Sequence, residues 1–460
     1  MDAMLQTNTT KVETQPKLST LEKASYGFGD LASNFVWGMT SSYLLFFYTD
    51  IFGITAAAVG TLFLLTRIWD AVNDPIMGIL VDRTKTKHGK ARPYILYLSI
   101  PFAVLSILTF ITPDFSDTGK LVYAYVTYTL LGMIYTGINL PYGALMPMMT
   151  RDPKEKTQLG SFRMMGMALG SILVAALTLP LVDFFGNGNQ QVGFPITMAL
   201  FSAIGIILFY LTFKNCKERY SEYHSIDEKE KVSIKESIVR MIKNKHWVII
   251  ASNSLLIFLR LGLMYGVLIY YVMYVLEQPG MVPVYLTVLN VGNFVGGALA
   301  PAILTKVGNR NGSLIVTPIS IVLFAALAFM EGVSPVLFVS IFFIANTLIG
   351  ISFPANFAML ADTVDYQEWK FGKRTEGLLY SGYSFATKFG IAIGSSFAAY
   401  ALGWAGYNPE ALTELATYTI RVLMFAAPIS LSLIQIVILF FYKLDKQHPQ
   451  IVLELEKKRI

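Results

Sequence analysis

"KNCKERYSEYHSIDEKEKVSIKESIVRMIKNKH", residues 214–246, is a long polar stretch set between apolar runs. A helix needs about 20 mostly apolar residues to cross a bilayer. Six such runs precede the stretch, at roughly 30–52, 56–80, 93–113, 119–147, 162–184 and 193–213. Six follow it, at roughly 247–276, 282–305, 313–331, 334–361, 377–404 and 419–442. The 460 residues are 54% hydrophobic and only 14% charged, against about 25% charged in an ordinary soluble chain. The reading is an all-α membrane protein with twelve transmembrane helices in two six-helix halves. It divides into a tail (1–22), an N-terminal half (23–213), a central loop (214–246), a C-terminal half (247–442) and a second tail (443–460).

The loops support the count through their charge. "DRTKTKHGKARP", "TRDPKEKTQ", the central stretch, "KVGNRNG", "EWKFGKRTE" and the C-terminal tail are basic. "TDIFGITAA", "DFFGNGNQQVG", "EQPGMVP" and "EGVSP" contain no Lys or Arg. Basic loops stay on the cytoplasmic side, so both termini and the central loop are expected inside, in a bacterial inner-membrane arrangement. The net charge of +6 then reflects membrane topology and not a nucleic-acid face. Residues 1–22 lack the apolar core of a signal peptide. The single cysteine, Cys216, rules out a disulfide framework or a Cys metal site, and no HExxH or Walker lysine motif occurs.

A trace of internal repetition links the halves. "WDAVNDPIMGILVDRTKTKHGKAR" closes the second run and "LNVGNFVGGALAPAILTKVGNRNG" the eighth. Both place small residues mid-helix and end in a short basic loop. Related halves are a transporter architecture, with the substrate site between them near the midplane. Only the first copy carries acids.

Those acids lie in "RIWDAVNDPIMG", residues 67–78. Ionisable residues inside a membrane mark function by default. Asp70, Asn73 and Asp74 share one helix face, and an oxygen cluster suits a hard cation. Thr136, in "GMIYTGINLPYG" of span four, adds an oxygen at similar depth. The expected occupant is Na⁺, or a proton shared by the acids. Lys388 in span eleven and Arg260 in span seven lie near the midplane, as partners for the acids or for a substrate. Asn34 in "ASNFVWG" and Asn139 in "TGINLPYG" pair amides with aromatic neighbours, a combination that suits sugar hydroxyls. Each of these polar groups also has a plain reading as interhelical glue.

"YGFGDLASNF", "FFYTDIFGI", "RIWDAVNDPIMG", "DRTKTKHGKARPYIL", "YTGINLPYGALMP" and "LADTVDYQEWKFGKRTEG" together resemble the glycoside–pentoside–hexuronide:cation symporters, a branch of the major facilitator superfamily. The likeness spans about residues 20–445. In the melibiose permeases of that family the residues matching Asp70, Asn73, Asp74 and Thr136 bind the cation. The lysine matching Lys388 sits where the cation and sugar sites join. The sugar site departs from that pattern. Melibiose permeases have aspartates where this chain has Asn34 and Asn139, and a tryptophan where it has Gly143. The asparagines and "NLPYG" are closer to the family's glucuronide carrier. Arg163 is similar to a sugar-site arginine, displaced by one residue in spacing.

The resemblance implies a symporter that takes up a hexuronide, pentoside or related glycoside with Na⁺ or H⁺. It needs no cofactor beyond that ion and works as a monomer. A sugar exchanger of the same fold is the alternative, with a channel, receptor or membrane enzyme further off. A last expectation concerns the cytosolic end. Asp362 and Asp365 close span ten, facing Lys156 of the N-terminal half, with Arg374 beside them. Opposite charges there would lock the outward-open state.

Overall fold

The computed structural model describes residues 17–84, 86–150, 152–220, 234–330, 332–372 and 376–459. The N-terminal half comprises α1 (Thr20–Phe46), α2 (Ala56–Arg83), α3 (Arg92–Thr109), α4 (Asp117–Met149), α5 (Pro153–Gly186) and α6 (Gln190–Asn215). A short helix, α7 (Ile234–Lys243), lies in the polar stretch between the halves. The C-terminal half comprises α8 (Lys245–Tyr270), α9 (Val282–Val307), α10 (Asn309–Leu327), α11 (Pro335–Phe371), α12 (Glu376–Trp404), α13 (Glu414–Arg421) and α14 (Ala427–Phe440). The π-helical turn Val422–Ala426 joins α13 to α14 as one span, and α15 (Leu444–Arg459) follows. Twelve spans therefore stand in two sets of six.

Ten of these spans are long and apolar enough to cross a membrane by composition alone. The other two are α1 and α2, and in α2 only Ala56–Arg67 is uniformly apolar. Several helices outrun the apolar stretches that announce them. α1 begins at Thr20 because Ser19 and Glu22 form a capping box. α5 begins at Pro153, behind the N-cap Asp152. α11 runs on to Phe371 and stops at Gly372, whose φ of 70° is left-handed. Hydropathy marks the hydrocarbon slab, whereas caps set the helix ends.

The halves repeat one packing plan. α1 packs on α5 and α8 on α12, which are spans one and five of each half. α2 and α4 pair as do α9 and α11, and α3 and α6 as do α10 and α14. Glycines permit the closest approaches. A Cβ on Gly166 would lie 2.1 Å from the Gly27 carbonyl oxygen, and one on Gly394 would lie 2.0 Å from that of Leu259. Across the halves α2 meets α12 and α5 meets α9, the same relation taken both ways.

The start of α1 and the end of α14 lie on one face, here the terminal face; the opposite face is distal. α15 covers α11 on the terminal face, burying Leu444, Ile451 and Leu455. At the distal face the halves are joined. α1 continues into the π turn Phe47–Ile51 and α8 into the π turn Tyr271–Val275. Asp50 in the first turn accepts hydrogen bonds from Tyr407, at 2.7 Å, and from Tyr274. Thr49 and Tyr270 bond at 2.7 Å, as do Thr61 and Tyr400 at 2.8 Å. The halves are thus clasped distally, with a cavity left on the terminal side of the clasp.

Candidate functional site

α2 builds the site from positions three and four apart. Asp74 Oδ1 accepts from Thr136 Oγ1 of α4 at 3.0 Å, and its Oδ2 lies 2.9 Å from Lys388 Nζ of α12. Asp70 Oδ2 is 2.9 Å from Arg67 Nη1, one turn earlier on the same helix. Asn73 is 5% exposed, and its amide nitrogen has no partner among the described residues. That orphan is an N–H donor, which cannot ligate a cation; only the Asn73 amide oxygen could. The described residues contain no cluster of three or more His, Cys, Asp or Glu side chains that could hold a metal ion. The cavity-facing oxygens here are two carboxylates and the Thr136 hydroxyl, the kind of donor that hard cations take.

These residues open on a cavity of about 440 Å³, within the range of small-molecule sites. Asp70, Asp74 and Thr136 line one side, and Tyr135, Asn139 and Arg163 another. Ser381, Ser384, Phe385, Lys388 and Phe389 of α12 complete the wall from the other half. Arg67 also lines it, with its guanidinium 4.8 Å over the Trp37 ring. Trp37 stacks on Tyr135 at 4.5 Å, and the Tyr135 hydroxyl accepts from Asn139 Nδ2 at 2.7 Å. Arg163 Nε is 2.6 Å from Asp30 Oδ2, with the guanidinium 5.0 Å over Tyr142. Tyr142 in turn stacks on Tyr26 at 4.7 Å.

The expected cation and sugar residues therefore converge, with three exceptions. Asn73 lies buried off the cavity wall. Asn34 is not on the cavity wall: its amide donates to the Asp30 carbonyl at 2.9 Å and accepts from Ser171 at 3.3 Å. It ties α1 to α5. Arg260 is also off the wall, 6% exposed and bonded to Ser432 of α14 at 3.2 Å. Both amide and guanidinium serve helix packing here.

At the terminal end His448 Nε2 of α15 lies 3.0 Å from Asp365 and 3.7 Å from Asp362. No ion pair among the described residues joins Lys156 to these acids, and Arg374 lies outside the described residues. Sequence reasoning passed over Arg67, although it stands three residues before Asp70, the i,i+3 spacing of a helical ion pair. It also passed over Asp30, for which only the intramembrane acid itself was a signal.

Twelve spanning helices in two repeated halves, with a charge-bearing cavity between them, define a membrane carrier of the major facilitator type. Residues 25–446 match the family described as MFS/sugar transport protein, and the chain belongs to that family. It is 35% identical over 435 residues to the putative glycoside/cation symporter YagG of Escherichia coli, covering 93% of each chain. It is 34% identical to the isoprimeverose transporter of Lactiplantibacillus pentosus, over 95% of this chain and 91% of that one. Among solved structures, the nucleoside transporter NupG matches with a TM-score of 0.66 at 12% identity, over 91% of this chain and 99% of that one. A bacterial homologue of the lysosomal transporter Spinster, inward-facing and unoccupied, matches with a TM-score of 0.68 at 13% identity, over 93% and 97%. These two likenesses concern the fold alone.

Proposed function

We propose that the protein is a secondary active symporter that takes up a sugar or glycoside with Na⁺ or H⁺ by alternating access. The observation that carries the reading is Asp74, held at once by Thr136 of its own half and by Lys388 of the other. Lys388 Nζ, 2.9 Å from Asp74 Oδ2, would compete with a cation for that oxygen. A cation at Asp70 and Asp74, with Asn73 and Thr136, releases the Lys388 ammonium to donate to a sugar hydroxyl. Asn139 and Arg163 supply the further donors. Each ligand then raises the affinity of the other, as linkage requires. The names of the relatives, a glycoside/cation symporter and an isoprimeverose transporter, support the same class of cargo.

The loop charges support a cytoplasmic terminal face, with both termini on the cytoplasmic side of a bacterial inner membrane. The distal clasp then makes the described state inward-facing. The cytosolic closure of the outward-facing state uses Asp362 and Asp365 against Lys156 and Arg374, with His448 as their resting partner. The carrier works as a monomer, since one chain holds the whole cavity.

Purified protein in proteoliposomes tests this. A glycoside panel is offered under imposed Na⁺ or H⁺ gradients. Uphill accumulation of at least one glycoside under one of the gradients is expected. Equal uptake with and without either gradient would overturn symport.

A further inference from the structure

Each cationic side chain on the cavity wall already faces a carboxylate of the protein. Arg67 is 2.9 Å from Asp70, Lys388 is 2.9 Å from Asp74, and Arg163 is 2.6 Å from Asp30. The first two pairs belong to the cation end. The third stands apart, and its acid differs in kind. Asp70 and Asp74 open onto the cavity, where a cation can reach them. Asp30 does not: it is 6% exposed, on α1 behind the wall, and Arg163 is the one described partner of its carboxylate.

Arg163 is fixed in this pose from two sides. Asp30 takes its Nε, and Tyr142 lies under its plane, itself stacked on Tyr26. Gly143 leaves the remaining edge clear, for a Cβ built there would come no nearer than 3.9 Å to Nη1. The guanidinium thus presents spare N–H donors to the cavity while its charge is matched from behind. Hydroxyls can accept from those donors without bringing charge. A carboxylate can accept too, but it must share one guanidinium with a buried acid that cannot move into water. Like charges juxtaposed in a desolvated site are strongly disfavoured.

We infer that Asp30 is a specificity-determining residue, which neutralises Arg163 and makes the pocket select uncharged glycosides over hexuronides. Asp30 touches no substrate; it acts by positioning and charge-matching Arg163. The inference rests on the proposed glycoside transport and narrows its cargo.

Three β-glycosides with one aglycone test it, differing only at C5: a xyloside (H), a glucoside (CH₂OH) and a glucuronide (COO⁻). Their competition is measured against binding and counterflow by the full-length protein, wild type and Asp30→Asn, with Asp30→Glu as the conservative variant. In the wild type the better neutral glycoside is expected to bind about tenfold or more tighter than the glucuronide. Asp30→Asn keeps the shape but frees the Arg163 charge, so the ratio shifts toward the glucuronide by a similar factor. Asp30→Glu restores the wild-type order. A merely structural role would weaken all three ligands together and leave the ratio unmoved, which overturns the inference. A wild-type preference for the glucuronide overturns it without any variant, so a poorly folding mutant does not shield it. If none of the three is carried and other glycosides are not either, it is the transport reading that fails.

Discussion

Asp74 binds both halves of the molecule, one oxygen to Thr136 and the other to Lys388, and in the proposed mechanism cation and sugar meet on it. Asp74→Asn keeps the size and removes the charge. The cation stimulation of sugar affinity, typically about 5–150-fold for such coupling, is expected to vanish, while sugar counterflow survives. Titrating sugar with and without Na⁺ and across pH reads this directly; retained stimulation would move the cation site elsewhere. Asp70→Asn should behave likewise, with Arg67 left unpaired in addition. That Asp70 and Asp74 face the same cavity was legible in the sequence, because residues four apart share a face of one helix and helical spacing is local information. The sugar end was not. Asn34 and Asn139 look alike in sequence, yet one bonds to the backbone of its own helix and a serine of α5, and the other faces the cavity. Arg163 and Asp30 are 133 positions apart, so their pairing exists only after α1 and α5 have packed. Arg260 has the depth of a site residue but the wrong face, and no single-helix signal separates the two.

At the scale of elements, two π turns end spans one and seven, and both feed the distal clasp. A π turn adds one residue to the helical circuit, and such turns gather at functional places. Here they bring Asp50 under Tyr274 and Tyr407. A hydrogen bond to a charged group is worth about 1.5–3 kcal/mol, so losing one shifts a two-state equilibrium by about tenfold or more. Tyr407→Phe is therefore expected to raise the outward-facing population by that order, read as faster labelling of a cysteine introduced at Ser384 from the distal side. Unchanged labelling would show that the clasp is not the barrier. The helix contacts can be tested at Gly166, where any side chain meets the Gly27 carbonyl. Gly166→Leu forces α5 off α1 and should lower stability by about 1–3 kcal/mol or more, seen as a lower melting temperature in detergent. Helix ends were the least legible part of this level, since Ser19, Asp152 and Gly372 set them outside the apolar runs.

For the whole molecule, the twelve spans and their two sets of six were legible because apolar runs alternate with basic loops and loops free of Lys and Arg. The repeat was legible only as a trace, since packing pairs are conserved in space through glycines and not through a shared string. Alternating access can be followed in the native background. The chain has one cysteine, Cys216, which is buried against the Glu22 carbonyl, and burial pushes its thiol up to about 12. A thiolate is the reactive form, so the unmodified protein should resist thiol reagents at neutral pH. Ser381→Cys, on the cavity wall, should react from the terminal face and be protected by bound sugar. Rapid labelling of the unmodified chain would show that the end of α6 opens. The pairing of every wall cation with an acid has an electrical consequence as well. The sugar-free, ion-free cavity moves between its two orientations with its fixed charges cancelled, so that return stroke does little work against the membrane field. The field acts on the bound ion instead, at about 2.3 kcal/mol per charge per 100 mV, and voltage would speed the loaded stroke while leaving the empty one nearly untouched.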